Sequence, residues 1–186
     1  MKKKKLQLAF IKDEEISQKL SDDILEMEKM LNEYLQFSSL RSKEITETFD
    51  ISELIKNTVE KYEKKEITIN LPERIYFNGR KNLVQRCLNN LIDNSIKYSE
   101  NISITLTKKS NNISILVDDD GPGIEEKERE NVFKPFYKTN KSRGDSKSSV
   151  GLGLSIASDI IRSHGGNISL EESPQNGLRA KISLPF

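Results

Sequence analysis

The stretch LVQRCLNNLIDNSIKYS, residues 83–99, sets apolar side chains on one side of a helix and amides with an ammonium on the other. Leu83, Cys87, Leu88, Leu91, Ile92 and Ser95 recur at three-and-four spacing, which predicts a helix over residues 80–98 packed on a core. The chain around it changes period. Residues 102–107 and 112–117 alternate apolar with polar, predicting a hairpin that turns at Ser110 and Asn111. Short strands are predicted over 67–71 and 74–77, and a final strand pair over 168–171 and 178–184. One helix is predicted over 52–64, capped by Ser52 with Glu53 behind it, and another after Gly151, closed by Gly165. Helices and strands interleaved in this way imply an α/β sandwich rather than a bundle.

Upstream, residues 6–39 contain neither Gly nor Pro, and Leu20, Ile24, Met27, Leu31 and Tyr34 follow the spacing of a coiled-coil seam. The expected organisation is a long amphipathic helix within residues 1–42, a polar stretch over 39–48, and a main domain over 43–186. The helix has no partner helix in this chain. Its stripe is expected to pack on a second copy, or to fold back on its own domain.

Composition excludes several classes. Apolar residues make up 34% and charged residues 32%, yet the apolar segments recur regularly, so the chain is expected to fold. Thirty basic residues against 29 acidic ones remove the surplus charge of a dedicated nucleic-acid binder. Cys87 is alone, which rules out an internal disulfide and fits a reducing compartment. No apolar run approaches the ~20 residues that span a bilayer, so a cytosolic location with no membrane contact is expected.

On the polar face of the 83–99 helix, Asn90, Asn94 and Lys97 stand at i, i+4 and i+7. Amide oxygens are hard ligands and an ammonium offsets phosphate charge, so the trio suits magnesium with a triphosphate; an ordinary solvated face has the same spacing. In ISILVDDDGPGI, residues 113–124, Asp119 continues the inward row of Ile113, Ile115 and Val117. A carboxylate there needs a donor, either a structural one or the exocyclic amine of adenine. Gly121, Pro122 and Gly123 form a turn that lets a flat base approach the backbone. Gly151 and Gly153 precede a helix whose first amides face outward toward anions, or serve only close packing. Between Tyr137 and Val150 no residue is apolar, and Lys138, Lys141, Arg143 and Lys147 fit either a phosphate-covering lid or a plain surface loop.

Taken in order, NLIDNSIKYS (90–99), VDDDGPGI (117–124), VFKPFYK (132–138), GLGLSIA (151–157) and HGGNISL (164–170) resemble the asparagine, first glycine, phenylalanine, second glycine and closing-strand motifs of sensor histidine kinases in the GHKL ATPase superfamily. The resemblance covers residues 48–186, and residues 6–37 resemble the second helix of the dimerisation and phosphoacceptor hairpin. It implies a mixed sheet with helices on one face and a nucleotide held between sheet and lid. By resemblance, Asn94 ligates magnesium beside Asn90, Lys97 meets phosphate, and Tyr98 packs on adenine. Asp119 takes the adenine amine, while Gly121, Gly123 and Ile124 shape the base pocket. Gly151, Leu152, Gly153 and Leu154 meet the phosphates at the lid's second edge, and Phe133 and Phe136 tether its first edge. Lys138 and Arg143 are basic lid positions, although Lys138 stands where many relatives have Arg. Asn90, Lys97 and Arg143 are the implied catalytic groups.

The family's acceptor histidine has no counterpart here, since no His precedes Ser52 and His164 sits in a Gly-Gly turn where its role is structural. The resemblance therefore implies a chain that starts just after the acceptor and binds ATP without phosphorylating itself in the usual way. Hydrolysing relatives carry Glu at the position of Asn90, and an amide is no base, so transfer to a histidine is implied over free hydrolysis. Implied partners are ATP, the acceptor hairpin, a response regulator and a second copy of a longer, membrane-bound parent. A nucleotide-gated interaction module and an anti-sigma-type serine kinase remain alternatives. Asp119→Ala is expected to abolish ATP binding and leave the fold intact.

Overall fold

The computed structural model describes residues 16, 18–25, 27–28, 31, 35, 44–62, 66–139 and 150–186. The chain divides into two compact units, Met1–Arg41 and Ser42–Phe186. In the first, every described residue is helical. Along the expected seam, Leu20, Met27 and Leu31 are 39%, 65% and 49% exposed and Ile24 is half-buried, while Tyr34 lies outside the described residues. Among the described residues no helix is long and apolar enough to cross a membrane.

The second unit begins with a feature the sequence reading missed. Strand β1 (Glu47–Asp50) emerges from what was expected to be a polar stretch and pairs antiparallel with β3 (Tyr76–Gly79). Its cause is one aromatic pair. Phe49 lies opposite Phe77 in register, the rings meet edge to face at 5.9 Å, and both are buried. The helix that follows, α1 (Ile51–Val59), is capped by Asp50 and not by Ser52. Asp50 Oδ1 accepts from the amides of Ser52 at 2.9 Å and Glu53 at 3.4 Å, and also from Ile75 at 3.3 Å. A carboxylate that accepts from the helix start and from the amide just before β3 outcompetes a lone hydroxyl two residues too late. Helix α1 ends earlier than residue 64, in a single 3₁₀ turn (Glu60–Tyr62).

The main sheet has five strands in the order β2-β4-β5-β7-β6: β2 (Ile67–Asn70), β4 (Ile102–Lys109), β5 (Asn112–Asp119), β6 (Asn167–Glu172) and β7 (Leu178–Pro185). It is mixed, because β2 runs parallel to β4 while every other pair is antiparallel. Register aligns the inward residues into rows across the sheet. Ile104, Val117, Ala180 and Leu170 form one, and Leu106, Ile115, Ile182 and Ile168 the next, all buried. Helices α2 (Lys81–Tyr98) and α3 (Gly153–Arg162) supply the second layer. The buried stripe of α2 is the one that the spacing picked out, Ser95 included, with Val84 added. Cys87 is fully buried against α3, its sulfur 3.8 Å from the Ala157 carbonyl, and burial pushes its thiol up to about 12. A thiol held protonated in this way packs as core and is no nucleophile. On the outer face, Arg179 grips Asp118 with both arms of its guanidinium, at 2.7 and 3.0 Å.

Candidate functional site

Helix α2 carries the candidate phosphate residues, and its start is pinned from outside. Arg80, its cap residue, makes no side-chain cap bond; instead Glu44 accepts from the amide of Asn82, the second residue of the helix, at 2.6 Å. The Arg80 amide donates to His164 Nε2 at 3.0 Å, and the His164 Nδ1 lies 2.7 Å from the Ile160 carbonyl. Those two contacts fix one tautomer, because the nitrogen that accepts is bare and the one facing a carbonyl carries the proton. Burial lowers the pKa of His164, and the neighbouring Arg80 charge works in the same direction. The imidazole is thus a neutral clasp between the start of α2 and the end of α3, as its expected structural role requires.

Along the exposed side of α2, the Asn90 amide nitrogen is buried with no acceptor among the described residues. Asn94, one turn on, is half-buried. The Lys97 ammonium donates to the Tyr98 hydroxyl at 2.8 Å and stands 4.7 Å from the centre of that ring, so Tyr98 and Lys97 act as one unit. Gly153, the first residue of α3, lies against this face, and a Cβ placed there would sit 3.9 Å from the Asn90 Cβ. The second-glycine segment and the asparagine helix therefore share one wall.

Asp119 closes the inward row of β5 and is 4% exposed. It is not waiting unpaired. Its Oδ1 accepts from the amides of Gly121 at 3.0 Å and Leu178 at 2.9 Å, and its Oδ2 accepts from the Ser95 hydroxyl at 3.1 Å. The carboxylate thus joins α2, the glycine turn and the start of β7. This is at odds with the expectation that Asp119→Ala spares the fold, since three donors would lose their acceptor.

The glycine turn has two structural requirements. Gly123 adopts φ 65°, and a Cβ on Gly121 would come within 2.9 Å of the Tyr98 carbonyl oxygen. Asp120 holds the turn from the other side by accepting from the amides of Glu100 and Asn101, each at 3.0 Å. Sequence reasoning missed a third participant. A Cβ on Gly177 would lie 2.2 Å from the Asp119 carbonyl oxygen and 2.6 Å from the Gly121 nitrogen, so the β6–β7 turn touches the turn after β5. The Asn176-Gly177 pair was the available signal, and Asn176 itself has φ 65°. Ser95 was also passed over, counted only as part of the apolar stripe.

Ile124 is half-buried, and its carbonyl accepts from the Arg129 guanidinium at 3.0 Å. At the first edge of the expected lid, Val132 provides the buried side chain; Phe133 is half-buried and Phe136 is 56% exposed. Phe136 contributes through its backbone. It adopts φ 64°, and its amide donates to the Gly151 carbonyl at 3.0 Å, so both edges meet. Gly151, at φ 81°, has no room for a Cβ, which would fall 2.9 Å from the Tyr137 carbonyl oxygen. Leu152 is buried at the start of α3, and Leu154 and Lys138 are half-buried. Lys141, Arg143 and Lys147 lie outside the described residues.

The residues fit a magnesium-bound triphosphate on chemical grounds. An orphaned amide N–H at Asn90 calls for an acceptor such as a phosphate oxygen, and Asn94 offers a hard oxygen on the same face. A separate cavity of about 360 Å³ is lined by Glu66, Thr68, Asn101, Ile102, Asp120 and Gln175. Two carboxylates and no cation make that cavity repellent to a polyphosphate.

Residues 79–186 match the family model described as histidine kinase-, DNA gyrase B-, and HSP90-like ATPase. Among curated proteins, the sensor histidine kinase CpxA of Escherichia coli (strain K12) is 32% identical over 91% of this chain and 39% of its own length. The sensor histidine kinase WalK of Bacillus subtilis is 30% identical over 86% of this chain and 28% of its own length, so the chain spans well under half of these relatives. Among solved structures, a nucleotide-free catalytic domain of the histidine kinase ThkA is 30% identical, with a TM-score of 0.64 over 76% of this chain and 95% of that one. The mixed sheet with its helical layer, the ordered motifs and these matches lead to one assignment: this chain belongs to the histidine kinase-, DNA gyrase B- and HSP90-like ATPase family.

Proposed function

We propose that residues 43–186 bind Mg-ATP and transfer its γ-phosphoryl group to a histidine on a dimerisation hairpin in two-component signalling, with residues 1–42 as part of such a hairpin. The observation that supports this most is the bond from Ser95 to Asp119, which ties a base-reading carboxylate to the helix bearing Asn90, Asn94 and Lys97. Asp119 accepts the exocyclic amine through its Oδ2, and Gly121, Gly123 and Ile124 form the wall against the ring. Tyr98, braced by Lys97, packs on the base. Asn94 would hold magnesium through its amide oxygen, and the ion when bound offsets charge on the phosphates. Asn90 donates its free N–H to a phosphate oxygen and, being an amide, activates no water, which favours transfer over hydrolysis. Arg143 and Lys138 neutralise the phosphoryl group in flight, and Gly151 to Leu154 bring amides to its oxygens. The base is an acidic residue beside the acceptor histidine on the hairpin, and a response regulator receives the phosphoryl group afterwards. The activity is placed on the cytosolic side of a membrane-bound parent.

The test mixes this chain with a separate polypeptide carrying an acceptor hairpin and with γ-labelled ATP. Label on the hairpin histidine that depends on magnesium is the expected result. Tight ATP binding without transfer would favour a nucleotide-gated interaction module, and no ATP binding with magnesium present would end the proposal.

A further inference from the structure

We propose that Ser95 sets how well this site tells adenine from a purine lacking the exocyclic amine, by aiming the second oxygen of Asp119. The inference rests on the reading of Asp119 as the base acceptor. The two oxygens of Asp119 are not equivalent. Oδ1 accepts two backbone amides, from Gly121 and Leu178, and its in-plane lone pairs are both engaged. Oδ2 accepts one bond only among the described residues, from Ser95 Oγ at 3.1 Å, which leaves it one in-plane lone pair for a ligand N–H.

A carboxylate fixed at one oxygen can still twist about its Cβ–Cγ bond; a donor on the second oxygen fixes its plane. Ser95 is that donor, and it comes from a rigid element. It sits on α2 immediately after Asn94 and two residues before Lys97, so one helix places the metal ligand, the phosphate ammonium and the hydroxyl that orients the base acceptor. Ser95 and Asp119 are each 4% exposed, so no bulk water stands ready to replace a deleted hydroxyl. Removing the hydroxyl frees the plane of the carboxylate, so the remaining lone pair of Oδ2 loses its aim at the amine. Ser95 is a positioning residue in this account, since it acts through Asp119.

The experiment compares dissociation constants of ATP and of purine riboside 5′-triphosphate, which lacks the amine, for wild type, Ser95→Ala and Ser95→Thr. Wild type should prefer ATP. Ser95→Ala should lower that preference roughly tenfold, by weakening ATP while the analogue binds as before. Ser95→Thr keeps the hydroxyl and should hold the preference within about threefold of wild type, because it retains the charge-assisted bond. Melting without nucleotide confirms that each variant is folded. An unchanged preference in Ser95→Ala, or an equal loss in Ser95→Thr, overturns the proposal while leaving the assignment of Asp119 standing. Wild type that binds both nucleotides equally removes the assignment of Asp119 and this inference with it; wild type that binds neither removes the proposed function itself.

Discussion

Replacing Asp119 separates its structural duty from the base-reading duty proposed for it, provided that two substitutions are compared. Asp119→Ala leaves the Leu178 and Gly121 amides and the Ser95 hydroxyl without an acceptor. Each such loss costs about 1–3 kcal/mol, and relief from burying a charge offsets part, so a net loss of about 3 kcal/mol is expected. In a domain of this size that lowers the melting temperature by roughly 6–12 °C. Asp119→Asn behaves differently. Its amide oxygen can take over both backbone donors, and its NH₂ can donate to the Ser95 oxygen, which is able to accept. Stability without nucleotide should stay within about 1 kcal/mol of wild type, because every buried partner is kept. The atom proposed to face adenine is now a donor, however, so on that reading it meets the exocyclic amine donor to donor. ATP affinity should fall roughly 100-fold or more, the combined cost of a lost charge-assisted bond and an unmatched N–H. Denaturant unfolding without nucleotide and calorimetric titration with Mg-ATP read the two quantities separately. If Asp119→Asn melts as low as Asp119→Ala, the charge is structural; if it binds ATP like wild type, Asp119 does not read the base. Either result refutes the reasoning.

The His164 clasp gives the domain an acid-sensitive component. The folded-state pKa lies below the ordinary value of 6.5, so the unfolded chain takes up its proton first as pH falls. Stability from this group is complete above about pH 6.5 and drains away as pH drops through the lowered folded value. Melting temperatures measured from pH 7.5 down to 5 should decline more steeply for wild type than for His164→Gln, and parallel curves would contradict the clasp. Gly177→Ala puts a methyl against backbone atoms of Asp119 and Gly121 that cannot rotate away. It should cost about 2–4 kcal/mol and weaken ATP binding by displacing the glycine turn, and wild-type-like unfolding would show that the β6–β7 turn yields easily.

The parts of this molecule that were legible in the sequence are those whose partners are near in the chain or repeat at a fixed period. Helix α2 and the β4–β5 hairpin have long regular patterns, and their predicted extents hold to within a few residues. Strand β1 has only four residues, and its reason for existing, the Phe49–Phe77 contact, is 28 residues away, beyond any local pattern. A similar separation, 25 residues, hid part of what fixes the cap of α1, because Asp50 accepts from the Ile75 amide as well as from the helix start. At the site, the spacing of Asn90, Asn94 and Lys97 and the inward direction of Asp119 could be read directly. What occupies Asp119 could not, since beside the local Gly121 amide its donors come from 24 residues before it on a helix and 59 after it on another strand. The Asn176-Gly177 turn could be read from its residue types, but what it touches could not: only the folded sheet brings the Gly177 backbone against Gly121.

The hydrogen bond from the Phe136 amide to the Gly151 carbonyl has a consequence for how such a domain can diverge. It closes a ring in the backbone, so the two ends of the intervening segment are held together. Closing a ring of twice the length adds only about 0.6 kcal/mol of entropic cost, far less than any buried core change described above. Insertions and deletions between the two ends, unlike changes at the basic positions proposed to meet phosphate, can therefore accumulate while helix α3 and the sheet stay as they are.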